Sequence, residues 1–283
     1  MLAADDVSFA YERGAPVLRG VTIGAAPGEI VGILGPNGSG KTTLLKVLAG
    51  LVRPQAGRVL LDGRPLASLH RRAIAQRMSV VPQETRLAFD YSVLEVVLMG
   101  RYAHLGAFEL EGPDDFAAAR AALAMTGTAA FERRPFESLS GGEKQRVIIA
   151  AALAQLSVAA GLQAGGSTSL PGGGSTYLLL DEPTASLDLG YQLEVLAVLR
   201  RLHRERRPGI IVSIHDLNLA AALCSRLVLL RDGRVLADGA TRDVLTPEHV
   251  RELYGVDVEV VPHEGAGHPV VVPLARAGGR SGP

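Results

Sequence analysis

The 283-residue chain carries 29 Lys and Arg against 29 Asp and Glu, a formal charge of zero, with 47% hydrophobic and 20% charged residues. This balance suits a globular protein with a sizeable core and supplies none of the basic field that non-specific nucleic-acid binding needs. The longest uninterrupted apolar run, residues 147–154, is far short of the roughly 18 residues of a spanning helix, and residues 1–6 lack a basic segment followed by an apolar one, so the chain is predicted neither to cross a membrane nor to leave the cytosol.

In chain order, an apolar run at 30–34 leads into Gly35-Pro36-Asn37-Gly38-Ser39-Gly40-Lys41-Thr42, behind which Leu44, Leu45, Leu48 and Leu51 recur at helical spacing. Strand, glycine-rich loop and helix in that order form a phosphate cradle. Glycines admit close backbone approach and the loop amides point inward, so Lys41 is expected on the β and γ phosphates and Thr42 on Mg²⁺. Further strands are expected at 59–61, 78–81, 177–180, 210–214 and 227–230, several apolar throughout and hence buried on both faces, with helices between them, which predicts a mostly parallel sheet.

From Gln83 to Leu139 the strand pattern stops. Ser92 and Glu95 have capping-box spacing and residues 114–126 are alanine-rich, which predicts a helical subdomain over 84–140. Ser140 and Glu143 repeat that spacing ahead of the apolar run, placing Leu139-Ser140-Gly141-Gly142-Glu143 at a helix N-terminus, where amides and dipole favour an anion. Residues 156–176 hold six glycines between Gly161 and Gly174, a composition expected to form a flexible loop. Cys224, the only cysteine, is expected as a buried thiol. Thr246-Pro247-Glu248 starts a short helix running to about Tyr254, after which a tail is expected, with an unstructured end at 278–283.

The phosphate loop together with Leu139-Ser140-Gly141-Gly142-Glu143 resembles the ATP-binding cassette (ABC) family. The resemblance spans roughly residues 7–256 and implies an α/β phosphate-loop fold with a mostly parallel core sheet, an antiparallel β subdomain and an inserted helical subdomain. It divides the chain into a cassette over 1–245 and a C-terminal helix and tail over 246–283. It implies that Gly35, Pro36, Asn37, Gly38, Ser39, Gly40, Lys41, Thr42 and Thr43 bind ATP, with Tyr11 stacking on the adenine.

By the same resemblance, residues 177–181 followed by Glu182 form the second nucleotide motif. Asp181 faces Mg²⁺, Glu182 is the general base, and Gln83 touches metal and water while relaying motion to the helical subdomain. His215 senses the γ-phosphate, and Ser186-Leu187-Asp188 lets two sites communicate across a dimer in which Ser140, Gly141 and Gly142 of one copy close over ATP on the other. ATP and Mg²⁺ are the implied cofactors.

A cassette without spanning helices implies separate transmembrane permease subunits, an indirect substrate-binding protein, and a peripheral place on the cytoplasmic face of the inner membrane. The stretches beginning at Tyr91, His215 and Leu245 are similar to importer ATPases for iron chelates, haem and cobalamin, and the lengthened stretch before Tyr177 to the haem group. Another ABC transporter type, of other cargo or exporting, remains an alternative. So does a soluble cassette ATPase acting on DNA or ribosomes, although the chain shows no coiled coil, zinc motif or second cassette.

Overall fold

The computed structural model describes residues 1–156 and 174–276 apart from Arg13, Arg86, Ser186, Glu264 and Ala266. Most of the glycine-rich stretch, Ser186 and the residues after 276 therefore lie outside the described residues. The chain begins with β1 (Leu2–Phe9), β2 (Leu18–Ala25) and β3 (Ile30–Leu34), which runs into α1 (Lys41–Leu48). Next come β4 (Ala56–Leu61), β5 (Arg64–Pro65), α2 (Arg71–Ala75) and β6 (Met78–Val81). A helical stretch follows, with α3 (Val93–Leu98), α4 (Pro113–Met125) and α5 (Gly141–Leu156). Then β7 (Tyr177–Asp181), α6 (Leu189–Arg206), β8 (Gly209–Ser213), α7 (Leu217–Leu223), β9 (Arg226–Arg231) and β10 (Arg234–Ala240) complete the main sheet. The chain closes with α8 (Thr241–Val244), α9 (Pro247–Tyr254), β11 (Val256–His263) and β12 (His268–Arg276).

The main sheet has the order β10-β9-β3-β8-β7-β6, parallel from β9 to β6, with β10 antiparallel at its edge. Strand alternation divides its apolar side chains between two cores. Leu178 and Leu180 of β7, Ile210 and Val212 of β8 and Leu227 and Leu229 of β9 pack with α3 to α7. Leu179, Ile211, Val228 and Leu230 face α1 and a second, antiparallel sheet of order β2-β1-β4-β5. The expected mostly parallel sheet is therefore present, but residues 59–61 belong to β4 of the antiparallel sheet. Three apolar residues do not encode a direction, and β4 takes its own from pairing with β1.

The local start signals fold as expected. Ser92 and Glu95 close a capping box at α3, and Ser140 and Glu143 do so at α5, with Ser140 N–H donating to Glu143 Oε2 at 2.8 Å and Glu143 N–H to Ser140 Oγ at 3.4 Å. Thr246 accepts from the His249 N–H at 3.3 Å to start α9. The stretch after α9, expected as a tail, instead pairs as the β11-β12 hairpin. Asn218 of α7 holds the hairpin through both its amide atoms, donating to Val271 O at 3.1 Å and accepting from Val271 N–H at 2.7 Å. Val250, Leu253, Val258 and Val271 enter the same core as α5 to α7, so that core continues across residue 245. No described helix is long and apolar enough to cross a membrane.

Candidate active site

In an open parallel sheet the C-terminal strand ends gather at one edge, where α/β proteins bind ligands. Here the ends of β3, β7 and β8 bring together the loop at 35–42, the acids Asp181 and Glu182, and the segment carrying Ser213 and His215. A cleft of about 380 Å³ opens there, lined by Asn37, Gly38, Gly40, Lys41, Thr42 and Thr43 with Val17, Gln83 and Glu182. Gly40 caps α1 at φ 106°, a conformation that costs an L side chain heavily, and places the loop at a helix start, where an anion is favoured.

Lys41 is only 5% exposed and its ammonium is fully engaged. It donates to Gly35 O at 2.9 Å and Pro36 O at 3.3 Å, and lies 3.3 Å from Glu182 Oε1. The other Glu182 oxygen accepts from Gln83 Nε2 at 3.2 Å. The structure thus joins the loop lysine, the acid after β7 and the glutamine after β6, three residues far apart in sequence. Glu182 itself takes φ 46°, an uncommon left-handed conformation for a residue with a side chain, of the kind found at functional sites.

Ser213 has a part in this site that the sequence alone did not mark. Fully buried at the end of β8, its hydroxyl donates to Asp181 Oδ1 at 2.7 Å and accepts from the Glu182 N–H at 2.9 Å. One side chain therefore binds the carboxylate of Asp181 and the backbone of Glu182. Tyr254 of α9 is a second unmarked neighbour. Burial is the main reason its phenol is pushed up to about 12, with the Glu182 charge adding to the rise and the adjacent Gly35 backbone offsetting part of it. Its hydroxyl makes no hydrogen bond of normal geometry. Only the tertiary path of α9 brings it here, and no local pattern could have shown it.

The remaining expected residues are arranged around this centre. Tyr11 sits on the rim, 46% exposed, with its hydroxyl 3.3 Å from Thr43 Oγ1 and its ring edge-on to Phe9. Ser39 is buried with an unpartnered hydroxyl. His215 follows β8, exposed and outside the cleft lining. Ser140, Gly141 and Gly142 form the tip of α5 and do not line the cleft either; they lie against Leu187 and Tyr191. Asp188 caps α6, accepting from the Tyr191 N–H at 3.2 Å. Thr42 and Asp181 offer the hard oxygen donors that Mg²⁺ prefers, in the small number it takes from protein when phosphates and water supply the rest.

Residues 18–158 match the family model described as ABC transporter. A hemin import ATP-binding protein, HmuV, from Gloeobacter violaceus is 45% identical over 261 residues, covering 92% of this chain and 90% of that protein. The chain belongs to the ABC transporter family. A transporter described as metal-chelate type, solved in an inward-facing conformation, matches this ABC cassette with a TM-score of 0.78 and 29% identity, covering 96% of both chains. A bacterial ABC transporter cassette solved as a dimer matches with a TM-score of 0.69 and 28% identity, covering 86% of this chain and 99% of that one. The α/β architecture expected from the phosphate loop and the serine-glycine motif is thus the architecture of the family.

Proposed function

We propose that this chain is the ATP-hydrolysing subunit of an importer for iron chelates of the haem class, acting as a pair of copies on separate transmembrane permease subunits. One observation carries the reading: Lys41, Gln83 and Glu182 converge in a single cleft, whereas the serine-glycine tip of α5 lies outside its lining. A nucleotide held by the loop is then completed by the tip of a second copy, and the dimeric cassette relative supports that arrangement. The hemin-import relative and the metal-chelate-type transporter support the cargo class.

The chemistry follows from the cleft. The β and γ phosphates compete with Glu182 for the Lys41 ammonium, and each charge-assisted contact contributes about 1.5–3 kcal/mol. Displaced from Lys41, Glu182 accepts a proton from the attacking water as general base, while Gln83 keeps the other carboxylate oxygen in place. Thr42 and Asp181 would hold Mg²⁺, which would neutralise phosphate charge. Ser140 and the amides of Gly141 and Gly142 meet the γ-phosphate from the partner copy, Asp188 lies beside that contact, His215 hydrogen-bonds the γ-phosphate, and Tyr11 stacks on the adenine. Loss of the γ-phosphate on hydrolysis removes the contacts that close the pair, and the dimer opens by ligand linkage.

The exposed aromatic and apolar side chains Phe89, Tyr102, Phe108 and Leu110 come from the helical subdomain and the segment leading into it. They support a permease-docking role for that part of the molecule, in keeping with a peripheral subunit that we propose sits at the cytoplasmic face of the membrane. The test is co-purification with candidate permease subunits from the same organism, followed by ATP hydrolysis in the presence of binding protein loaded with hemin, a ferric siderophore or cobalamin. Stimulation by the hemin-loaded form is expected. Stimulation by cobalamin alone overturns the cargo class, and the absence of any permease complex overturns the transport reading.

A further inference from the structure

At the tip of α5, Gly142 is buried from within its own protomer while Gly141 is exposed. A carbon added at Gly142 would stand 2.3 Å from the Tyr191 ring, and one at Gly141 would stand 3.7 Å from Leu187 Cδ2. Ser140 Oγ also donates to Tyr191 Oη at 3.4 Å. Tyr191 is in turn fixed by its own N–H, which Asp188 Oδ1 accepts at 3.2 Å. In the second turn of α5 the seam closes again with an ion pair, Arg146 to Glu194, at 3.2 Å. The first turns of α5 and α6 are therefore joined by ring packing, a hydrogen bond and an ion pair, with Asp188 at the corner between them.

We propose that Tyr191 is a positioning residue for the serine-glycine tip, locking it to the Asp188 corner so that both meet the partner copy's nucleotide as one rigid unit. The inference rests on the shared-nucleotide reading above. A helix tip binds an anion through amides held at fixed positions; the Ser140–Glu143 capping box fixes the turn itself, but two successive glycines carry no side chain to hold that turn against the rest of the protomer unless something else restrains it. The Tyr191 ring is that restraint, lying where any side chain at position 142 would have to go. Ordering the tip before binding removes an entropic cost from dimer closure. The long hydrogen bond from Ser140 is weak enough for its hydroxyl to turn to a phosphate oxygen, where a charge-assisted bond is stronger. The ring rather than the hydroxyl carries the positioning.

The test uses full-length protein in a Glu182→Gln background, where hydrolysis does not drain the closed dimer. Dimer formation is followed by light scattering as ATP is titrated, and binding of a fluorescent ADP analogue to the protomer is measured alongside. Tyr191→Ala is expected to raise the ATP concentration for half-maximal dimer by about tenfold or more, as small misplacements of binding groups do. Tyr191→Phe should restore dimerisation close to the parent, and ADP binding should be unchanged in both, because the loop that holds ADP in the same protomer is untouched. Dimerisation of Tyr191→Ala at the parent's ATP concentration overturns the proposal. So does an equal loss of ADP binding, the mark of general unfolding, or a Tyr191→Phe variant as impaired as Tyr191→Ala. A parent that never dimerises with ATP instead removes the shared-nucleotide reading itself.

Discussion

Lys41 and Glu182 form an ion pair across the floor of the cleft, 3.3 Å apart, with side chains only 5% and 14% exposed. Such a pair is costly to break by deleting one partner, but an incoming phosphate replaces the carboxylate with a richer set of charged acceptors. In the proposed reading, the contact would couple nucleotide arrival to release of the Glu182 carboxylate.

Replacing Glu182 by Gln keeps the shape of the side chain and removes its basicity. Turnover should fall by about 10²-fold or more, the usual contribution of a positioned base, while ATP binding survives and an ATP-bound dimer accumulates. Phosphate release and size-exclusion chromatography measure both effects. Wild-type phosphate release by this variant would refute the assignment of the base.

Ser213→Ala deletes the hydroxyl that serves Asp181 and the Glu182 N–H together. Asp181 is then left 6% exposed without its donor, and an unsatisfied buried group of this kind costs about 1–3 kcal/mol. A lower thermal midpoint and a turnover reduced by about tenfold are expected, since the backbone of Glu182, the proposed base, is held by the same residue. An unchanged midpoint and rate would mean that Ser213 is a bystander.

Arg101 and Asp115 form an ion pair at 2.8 Å in the helical subdomain, where Arg101 is 1% exposed and also donates to Ala154 O at 2.7 Å. Burial alone would raise the Asp115 carboxyl, but the Arg101 hydrogen bond, the Gly112 N–H and the Arg101 charge outweigh it and hold it below the usual carboxylate range. Because the folded value is depressed, this contribution to stability is complete above the ordinary carboxylate value near 4 and is lost as the pH falls through the folded value. Asp115→Asn should therefore lower stability at pH 7 by about 3–5 kcal/mol and make urea stability less sensitive to acid. An equally steep acid dependence in the variant would place the titration elsewhere.

Cys224 is buried, and burial pushes its thiol above the ordinary range. Since the thiolate is the reactive form, a disulfide reagent at mildly alkaline pH should label the native protein no faster than it unfolds. Rapid stoichiometric labelling would contradict the packing around α7.

The parts of the site that were legible in the sequence depend on neighbours within a few positions. The phosphate loop, the caps at Ser92, Ser140 and Thr246, and the acids ending β7 fall in this class, because each is set by local backbone geometry. The direction of the strand at 59–61 and the pairing of the stretch after α9 were not legible for the opposite reason. The direction of β4 depends on β1, and the β11-β12 hairpin is held by Asn218 of α7; neither partner is near in sequence.

By itself, the sequence determined the family and the strand, glycine loop and helix start that carry it, since these lie within one continuous segment set by local backbone geometry. Tertiary structure alone decided that Glu182 rests on Lys41, that Ser213 serves both acids, that Tyr254 lies beside Gly35, and that Tyr191 covers Gly142. Those contacts join side chains from different strands and helices, and their distances are set by how the sheet twists and its helices pack, which no spacing along the chain encodes.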